Sequence, residues 1–545
     1  MIHPAIRSKA KQRPEIVVAC LSSRIGDPVA THGIWGSGSF ANRDQFLAWC
    51  MRQRGGLQVW LTPHSADWGG CIPALVENGC GVRPSKRRGE YANLSVTMGD
   101  RTWLGRSSSG FIDIPHGLTP VDEASATWQA MCEIQDDLSE AWPGVSLGTS
   151  LAATAVSCFR QHLTSPIGCE WSISRELRQM AYGGGRVELF CRPGSEYASS
   201  AGRPLLWDLD ISGAYATAMI EKPIPGEFDS FGSEIDVTMR DCTISAAVVN
   251  VPYMPFPPLR VEHAGQVYYP WGVLFGCWTT EELRAATTLG CTIQEVLSVM
   301  RFRPREEFES FGRAVKGFRV SAASPHSRTL GKGLAVQLAG ALGSKPSLQR
   351  FTCTPSGRYG FKIDRCGVYT ESTFRPSDRE VLSAACTITG IPRAWLALTL
   401  SELWREVGIP THVHTDGTIV YGIDRAAIER ALRGAAIKGG IDPIHWKITP
   451  LQKLEIWAAN QRISMDSNGV EKTAAGGISR ELSPAEIRNQ LRSAKLHVEE
   501  TAWMSGRRKA DPRGSYTAPL SFAEVDPKRA EELRRIYKLS TSIGE

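Results

Sequence analysis

The sequence predicts an α/β protein of several domains, and three features carry that expectation. The chain has 545 residues, 42% of them hydrophobic, which is enough to fill more than one core. Short apolar runs of strand length, such as Glu15–Leu21 and Gln58–Leu61, alternate with longer helix-forming runs such as Ala124–Trp142. Two further apolar runs carry aspartates where a core strand would exclude them: Trp207-Asp208-Leu-Asp210-Ile211-Ser, and Thr411-His-Val-His414-Thr-Asp416-Gly417-Thr-Ile-Val-Tyr421. Burying a carboxylate is costly unless a partner or a metal ion compensates it. Two such strands lying side by side would form a site for divalent metal, the arrangement that two-metal phosphoryl transfer requires.

Taken in order, Glu15–Leu21 and Gln58–Leu61 are expected strands of an N-terminal α/β domain covering residues 1–165. Ala124–Trp142 is its expected long helix, stopped by Pro143-Gly144. Arg186–Phe190 and the two aspartate runs read as strands of a second region. Glu281–Leu289, Arg328–Leu342 and Arg425–Ile437 read as helices, and Trp446–Trp457 as strand, turn and strand. Phe351–Tyr369 is expected to form a hairpin with Pro355-Ser-Gly at its turn. Ser483-Pro484-Ala-Glu486 has a capping-box pattern opening a helix toward Met504, and Lys528–Lys538 reads as a basic amphipathic helix.

Bulk properties narrow the partners without fixing them. Lys and Arg number 62 against 56 Asp and Glu, a net +6 that permits a polyanionic partner. No run approaches the length of a membrane span, and the first residues lack the apolar core of a signal peptide, so no membrane partner is expected. The fourteen cysteines are scattered without a Cys-x-x-Cys pair. They are expected as reduced packing groups in a bacterial or host cytosol.

Four short motifs give the chain a more definite character. Asp210-Ile211-Ser-Gly213-Ala-Tyr215-Ala216 has the spacing of Asp-x-x-Ser-Leu-Tyr-Pro. His412-Val-His414-Thr-Asp416-Gly417 follows Tyr-x-Asp-Thr-Asp-Ser, with histidine in place of the first aspartate. Tyr182-Gly183-Gly184-Gly185 matches Tyr-x-Gly-Gly, and Lys332-x-x-x-Val336-x-x-Ala339-Gly340 follows Lys-x-x-x-Asn-x-x-Tyr-Gly, keeping its lysine and glycine. In these motifs and their order the chain resembles the family B DNA polymerases, nearest the compact protein-primed type of phages and linear plasmids.

The resemblance implies a ribonuclease-H-like exonuclease-type domain over 1–165 and a right-hand polymerase after it. Palm would cover 166–277 and 346–466, fingers 278–345, and a mainly helical thumb 467–545. In the first domain, Val18-Ala19-Cys20-Leu21 lacks both acids of the expected Asp-x-Glu. Asp67 and Asp136 would be its surviving acidic positions, so this domain is expected to have lost its metal chemistry and proofreading. Asp210 and Asp416 would bridge two divalent ions, Mg²⁺ or Mn²⁺, with the Ile211 carbonyl and His414 as further ligands. Imidazole in place of carboxylate shifts the preference toward manganese.

Tyr215 would pack against the incoming sugar, while Lys332, Arg328 and Gly340 would face the triphosphate. Tyr182, Gly184 and Gly185 would lie along the template, and Arg507, Arg508 and Lys509 would hold duplex phosphates. The expected partners are a primer-template, dNTPs and a terminal or other priming protein. Each residue also has a plainer reading: an aspartate as a cap or ion-pair partner, a glycine as a turn, a basic cluster as a solvated face. Asn460-Gln461-Arg462 stands where the family's Lys-x-Tyr is expected and does not reproduce it. Together with Ala19, Val336, Ala339 and His414, it supports an alternative: a degenerate relative that binds nucleic acid or a replication protein without polymerising.

Overall fold

The computed structural model describes residues 16–22, 27–53, 57–87, 90–98, 101–108, 112, 114–115, 118–148, 150–167, 175–199, 205–235 and 242–263. It further describes 266–343, 347–352, 362–363, 369–374, 381–475, 483–491, 508–510 and 517–519. The chain divides into two units, residues 1–166 with 313–380, and residues 167–312 with 381–545.

The first unit is built on a seven-stranded sheet ordered β3-β2-β1-β4-β7-β6-β5. Its strands are β1 (Ile16–Cys20), β2 (Val29–Gly33), β3 (Gly36–Phe40), β4 (Gln58–Leu61), β5 (Gly81–Arg87), β6 (Glu90–Met98) and β7 (Arg101–Ser107). β1, β4 and β7 run parallel, and the flanking strands are antiparallel. Val17, Ala19, Val59 and Leu61 join Phe46 and Leu47 of α1 (Arg43–Arg52) and Leu75 of α2 (Ile72–Glu77) in the core on one face. Burial of β1 on both faces explains why its sequence is apolar throughout rather than alternating.

Helix α3 (Pro120–Ala141) starts on the Thr119 cap with proline in its first turn and ends at Trp142. α4 (Leu151–Arg160) is capped by Ser150. In the same unit lie α9 (Pro325–Leu342) and a small sheet of β17 (Ser347–Thr352), β18 (Lys362–Ile363) and β19 (Tyr369–Phe374). β17 and β19 pair antiparallel with Thr352 opposite Tyr369, and β18, between them in sequence, pairs with β19; the expected turn at Pro355-Ser-Gly lies outside the described residues.

The second unit holds two sheets. The larger is ordered β24-β23-β22-β10-β21-β20-β8, with β9 also on β22. Its strands are β8 (Arg186–Leu189), β9 (Ser195–Ala198), β10 (Leu206–Ile211), β20 (Ile409–Thr415), β21 (Gly417–Tyr421), β22 (Trp446–Ala458), β23 (Gln461–Asp466) and β24 (Glu471–Ala475). The smaller is ordered β11-β16-β12-β15, from β11 (Pro225–Gly232), β12 (Cys242–Val251), β15 (Gly272–Thr279) and β16 (Thr292–Pro304). β13 (Val261–His263) and β14 (Gln266–Tyr268) form a separate hairpin.

Both faces of the smaller sheet are covered. Leu177 and Ala181 of α5 (Arg175–Ala181), with Leu382 and Cys386 of α10 (Leu382–Arg405), pack on Ile244, Ala246 and Met300. Leu283 and Ala286 of α7 (Thr280–Thr288) pack with Val249, Leu274 and Trp278. α6 (Ala214–Glu221) follows β10, and α11 (Arg425–Ile437) packs against α10. α8 (Glu307–Ser321) spans the division between the units.

One expected turn is corrected. Trp446–Trp457 is not strand, turn and strand; β22 runs unbroken from Trp446 to Ala458. Pro450 is tolerated because β10 pairs with it on one side while β23 joins only from Leu451. The Ser483 capping box is present: the Ser483 N–H donates to Glu486 Oε2 at 2.8 Å, and the Glu486 N–H to Ser483 Oγ at 3.3 Å. The helix it opens is described over 484–491, and Lys528–Lys538 lies outside the described residues. β25 (Arg508–Ala510) and β26 (Thr517–Pro519) pair antiparallel. No helix among the described residues is long and apolar enough to cross a membrane.

Candidate active site

β10 lies in the middle of the larger sheet, between β22 and β21. Strand alternation buries Trp207, Leu209 and Ile211 and leaves Asp208 and Asp210 half-buried on the opposite face. Asp210 stands opposite Gly417 on β21, where an added Cβ would lie 3.3 Å from Asp210 Oδ1. The Ile211 N–H donates to the Asp416 carbonyl at 2.9 Å, so the two aspartate-bearing segments are joined directly beside Asp210. Asp210, Ile211 and Asp416, far apart in sequence, therefore meet at one sheet position.

The turn carrying Asp416 is tight. β20 and β21 pair through His414 and Gly417, leaving only Thr415 and Asp416 between them. Thr415 has φ 61°, and its hydroxyl lies 2.6 Å from Asp416 Oδ1. His414 is half-buried on β20, two residues from buried His412. Burial, with the Arg462 cation and His414 beside it, holds the His412 imidazole well below its ordinary range. Burial and Arg462 push His414 down as well, against the opposing pull of Asp416.

Arg462 on β23 is the charge that motif reading left unused. Its guanidinium lies in the field of Asp208, Asp210 and Asp416, and one of its nitrogens donates to the Ala459 carbonyl at 2.8 Å. Burial pushes the Asp208 carboxyl up, and Arg462, Lys447 and Lys472 offset that shift. Asp208 is thus a charge partner of three cations.

The Tyr182-Gly183-Gly184-Gly185 segment leads into β8, at the far side of β20, and is held by two buried arginines. Arg260 donates to the carbonyls of Met180 and Tyr182 at 2.6 and 2.5 Å. Arg393, from α10, donates to the carbonyls of Gly183 and Gly184 at 2.9 and 2.7 Å. Arg393 also grips Glu282 of α7, with Nε at 2.9 Å and a second nitrogen at 2.8 Å. Planar guanidinium groups suit this work, since each satisfies several carbonyls from one fixed fork. Tyr215, the second residue of α6, is half-buried within the fields of Arg393, Asp416 and Tyr182; burial raises its hydroxyl pKa. Tyr182, Tyr215 and the aspartates therefore share one locality.

The oxygen donors suit a hard divalent ion: the Asp210 carboxylate on β10, the Asp416 carboxylate in the β20–β21 turn and the Ile211 carbonyl; the His414 imidazole adds a borderline donor. Among the described residues no three His, Cys, Asp or Glu side chains already converge as a metal cluster. The set has the two-carboxylate character of a site completed by substrate phosphate and water.

In the first unit, Arg328, Lys332 and Gly340 are exposed along α9, whereas Ala339 is buried. Asp67 caps the turn at Trp68–Cys71, accepting from the Gly69 N–H at 3.0 Å, and Asp136 is exposed on α3. Ala66, next to Asp67, donates its N–H to the Leu21 carbonyl just past β1 at 2.9 Å. Glu123 places a carboxylate beside β1: it accepts from the His64 N–H at 3.2 Å and lies 3.9 Å from Cys20 Sγ. A cavity of about 370 Å³ opens there, lined by Cys20, Ser22, His64 and Ser65. Arg508 and Lys509 stand in β25, and Arg507 lies outside the described residues.

No protein-family model matches this chain, and no curated protein sequence matches it. Solved structures do match. Phi29 DNA polymerase in its ternary complex with primer-template DNA and incoming nucleotide substrates aligns at TM-score 0.61 and 12% identity. That alignment covers 87% of this chain and 95% of the phi29 chain. The orthorhombic crystal form of the same polymerase gives 0.62 at 12% identity, over 86% and 93%. Its complex with single-stranded DNA gives 0.61 at 12%, over 87% and 94%. The chain therefore has an α/β multidomain fold resembling that of a family B DNA polymerase of the phi29 type.

Proposed function

We propose that the protein is a DNA-directed DNA polymerase that adds dNTPs to a primer 3′ hydroxyl during replication of a phage, plasmid or similar mobile element. The observation that carries this reading is the meeting of Asp210 on β10 with Asp416 in the β20–β21 turn, within a fold that resembles a polymerase solved on primer-template and nucleotides. The two aspartates, with the Ile211 carbonyl and His414, would hold two divalent ions, Mg²⁺ or Mn²⁺. Bound there, such ions supply activation of the primer hydroxyl and neutralisation of the triphosphate.

The chain's own residues supply position. Tyr215 presents its ring beside the aspartates, where it would pack on the deoxyribose. Lys332 and Arg328 offer cations for the triphosphate along α9, with Gly340 further along the helix. Tyr182, Gly184 and Gly185 would line the template path, and Arg507, Arg508 and Lys509 would hold duplex phosphates. Residues 166–277 and 346–466 would be palm, 278–345 fingers and 467–545 thumb. A terminal or other protein would be the primer donor.

The parallel β1, β4 and β7 with antiparallel β2 and β3 support a ribonuclease-H-like reading of residues 1–165. With Glu123 as a carboxylate beside an acid-free β1, that domain would bind without cleaving, so proofreading is lost.

Extension of a labelled primer on a DNA template, with Mg²⁺ or Mn²⁺, tests the reading. Wild type is expected to extend, while Asp210→Asn and Asp416→Asn are each expected to abolish extension and leave duplex binding intact. Wild type that binds duplex but extends with neither metal, with or without a candidate priming protein, would instead mark a non-catalytic relative.

A further inference from the structure

We propose that Thr415 positions the Asp416 carboxylate through a strained three-residue turn for which Gly185 leaves room. This rests on the reading of Asp416 as a metal ligand and assigns the residues that aim it.

The Asp416 N–H donates to the His414 carbonyl at 2.8 Å, two residues back, closing a γ-turn around Thr415. With φ 61° at its centre the turn has the rare, strained hand. Glycine or asparagine would adopt that backbone readily; a β-branched residue resists it. Threonine brings what glycine lacks, a hydroxyl 2.6 Å from Asp416 Oδ1 and 2.8 Å from the His414 carbonyl. The hydroxyl has one proton to give, and donated to the nearer acceptor, Asp416 Oδ1, it ties the carboxylate to the turn it leaves. The bond from the Ile211 N–H to the Asp416 carbonyl holds the same residue from the β10 side.

Gly185 closes the arrangement from β8. An added Cβ there would lie 2.7 Å from Thr415 Cα and 2.9 Å from its Cβ, so a side chain at 185 would press directly on the turn. Gly184, next to it, would meet nothing within 4 Å. The demand for glycine at 185 is thus one of space against Thr415.

Strain at a functional turn persists only where the surroundings over-determine it, and here β10, through the Ile211 N–H, and the close approach of Gly185 do so. Outer partners of metal ligands act on affinity by orienting the ligand. The test measures free Mn²⁺ by electron paramagnetic resonance at equilibrium, together with kcat and the dNTP KM in primer extension. Duplex binding and melting temperature are followed alongside.

Thr415→Val and Thr415→Gly are expected to weaken Mn²⁺ binding about 10- to 100-fold and to lower kcat rather than raise KM, while Thr415→Ser stays within about threefold of wild type. Gly185→Ala is expected to follow Thr415→Val. Wild-type Mn²⁺ binding in Thr415→Val or Thr415→Gly would overturn the proposal. So would a Thr415→Ser enzyme that melts normally yet binds Mn²⁺ as poorly as Thr415→Val. Wild type that neither binds Mn²⁺ nor extends a primer would instead overturn the polymerase reading, and this one with it.

Discussion

The Arg393–Glu282 pair gives the most demanding test of how the site is built. The Arg393 side chain is fully buried and that of Glu282 is 1% exposed, so neither charge has water to fall back on. Arg393→Met removes the Nε hydrogen bond and the ion-pair contact to Glu282, and both bonds to the carbonyls of Gly183 and Gly184. An uncompensated buried carboxylate costs about 3–5 kcal/mol. Each carbonyl left without a donor adds about 1–3 kcal/mol unless water reaches it. Glu282 retains the Thr279 N–H at 3.2 Å and the Thr279 hydroxyl at 2.9 Å, which places its own share at the lower end. Glu282→Gln leaves Arg393 charged and buried, and is expected to cost a similar amount.

Neutralising both, as Arg393→Met with Glu282→Gln, is expected to cost about 2 kcal/mol less than the sum of the single changes, because no orphaned charge remains. A chain of two units need not unfold in one step, so the assay is native-state hydrogen exchange at the amides of α7 and residues 182–186. Additivity within about 0.5 kcal/mol would refute the argument that a coupled buried pair holds the Tyr182–Gly185 segment.

Two further outcomes follow from the histidines of β20. His414→Asp restores a third carboxylate and is expected to raise extension with Mg²⁺ relative to Mn²⁺; equal use of the two metals by wild type and variant would refute it. His412 titrates well below its ordinary value of 6.5 when folded, so below about pH 6.5 the unfolded chain takes up a proton that the folded chain refuses. The stability it contributes is therefore present above that pH and falls by about 1.4 kcal/mol per pH unit as the pH drops further. Urea midpoints between pH 7 and 5 should show a steeper acid limb for wild type than for His412→Gln, and parallel limbs would show that His412 is not held neutral.

The sequence exposed those parts of the site whose signal is local. An aspartate in an apolar strand conflicts with its surroundings, so Asp210 and Asp416 were conspicuous before any fold was known. The Ser483 capping box was legible because a cap uses residues three positions apart. Thr415 was not legible as a turn centre, because its local preference opposes positive φ and only β10 and Gly185, both distant in sequence, impose it. Arg393 escaped for the same reason, and Arg462 was visible only as a motif position and not as the partner of Asp208, Asp210 and Asp416: the partners of both come from other strands and helices. Glu123 is an acidic residue in the first turn of a helix, and only the fold shows that it also turns toward β1. The reactive carboxylates are thus written locally, but the residues that aim them are specified by tertiary contact. A metal site with normal carboxylates and a disturbed Thr415 turn should therefore lose activity while its motif still looks intact.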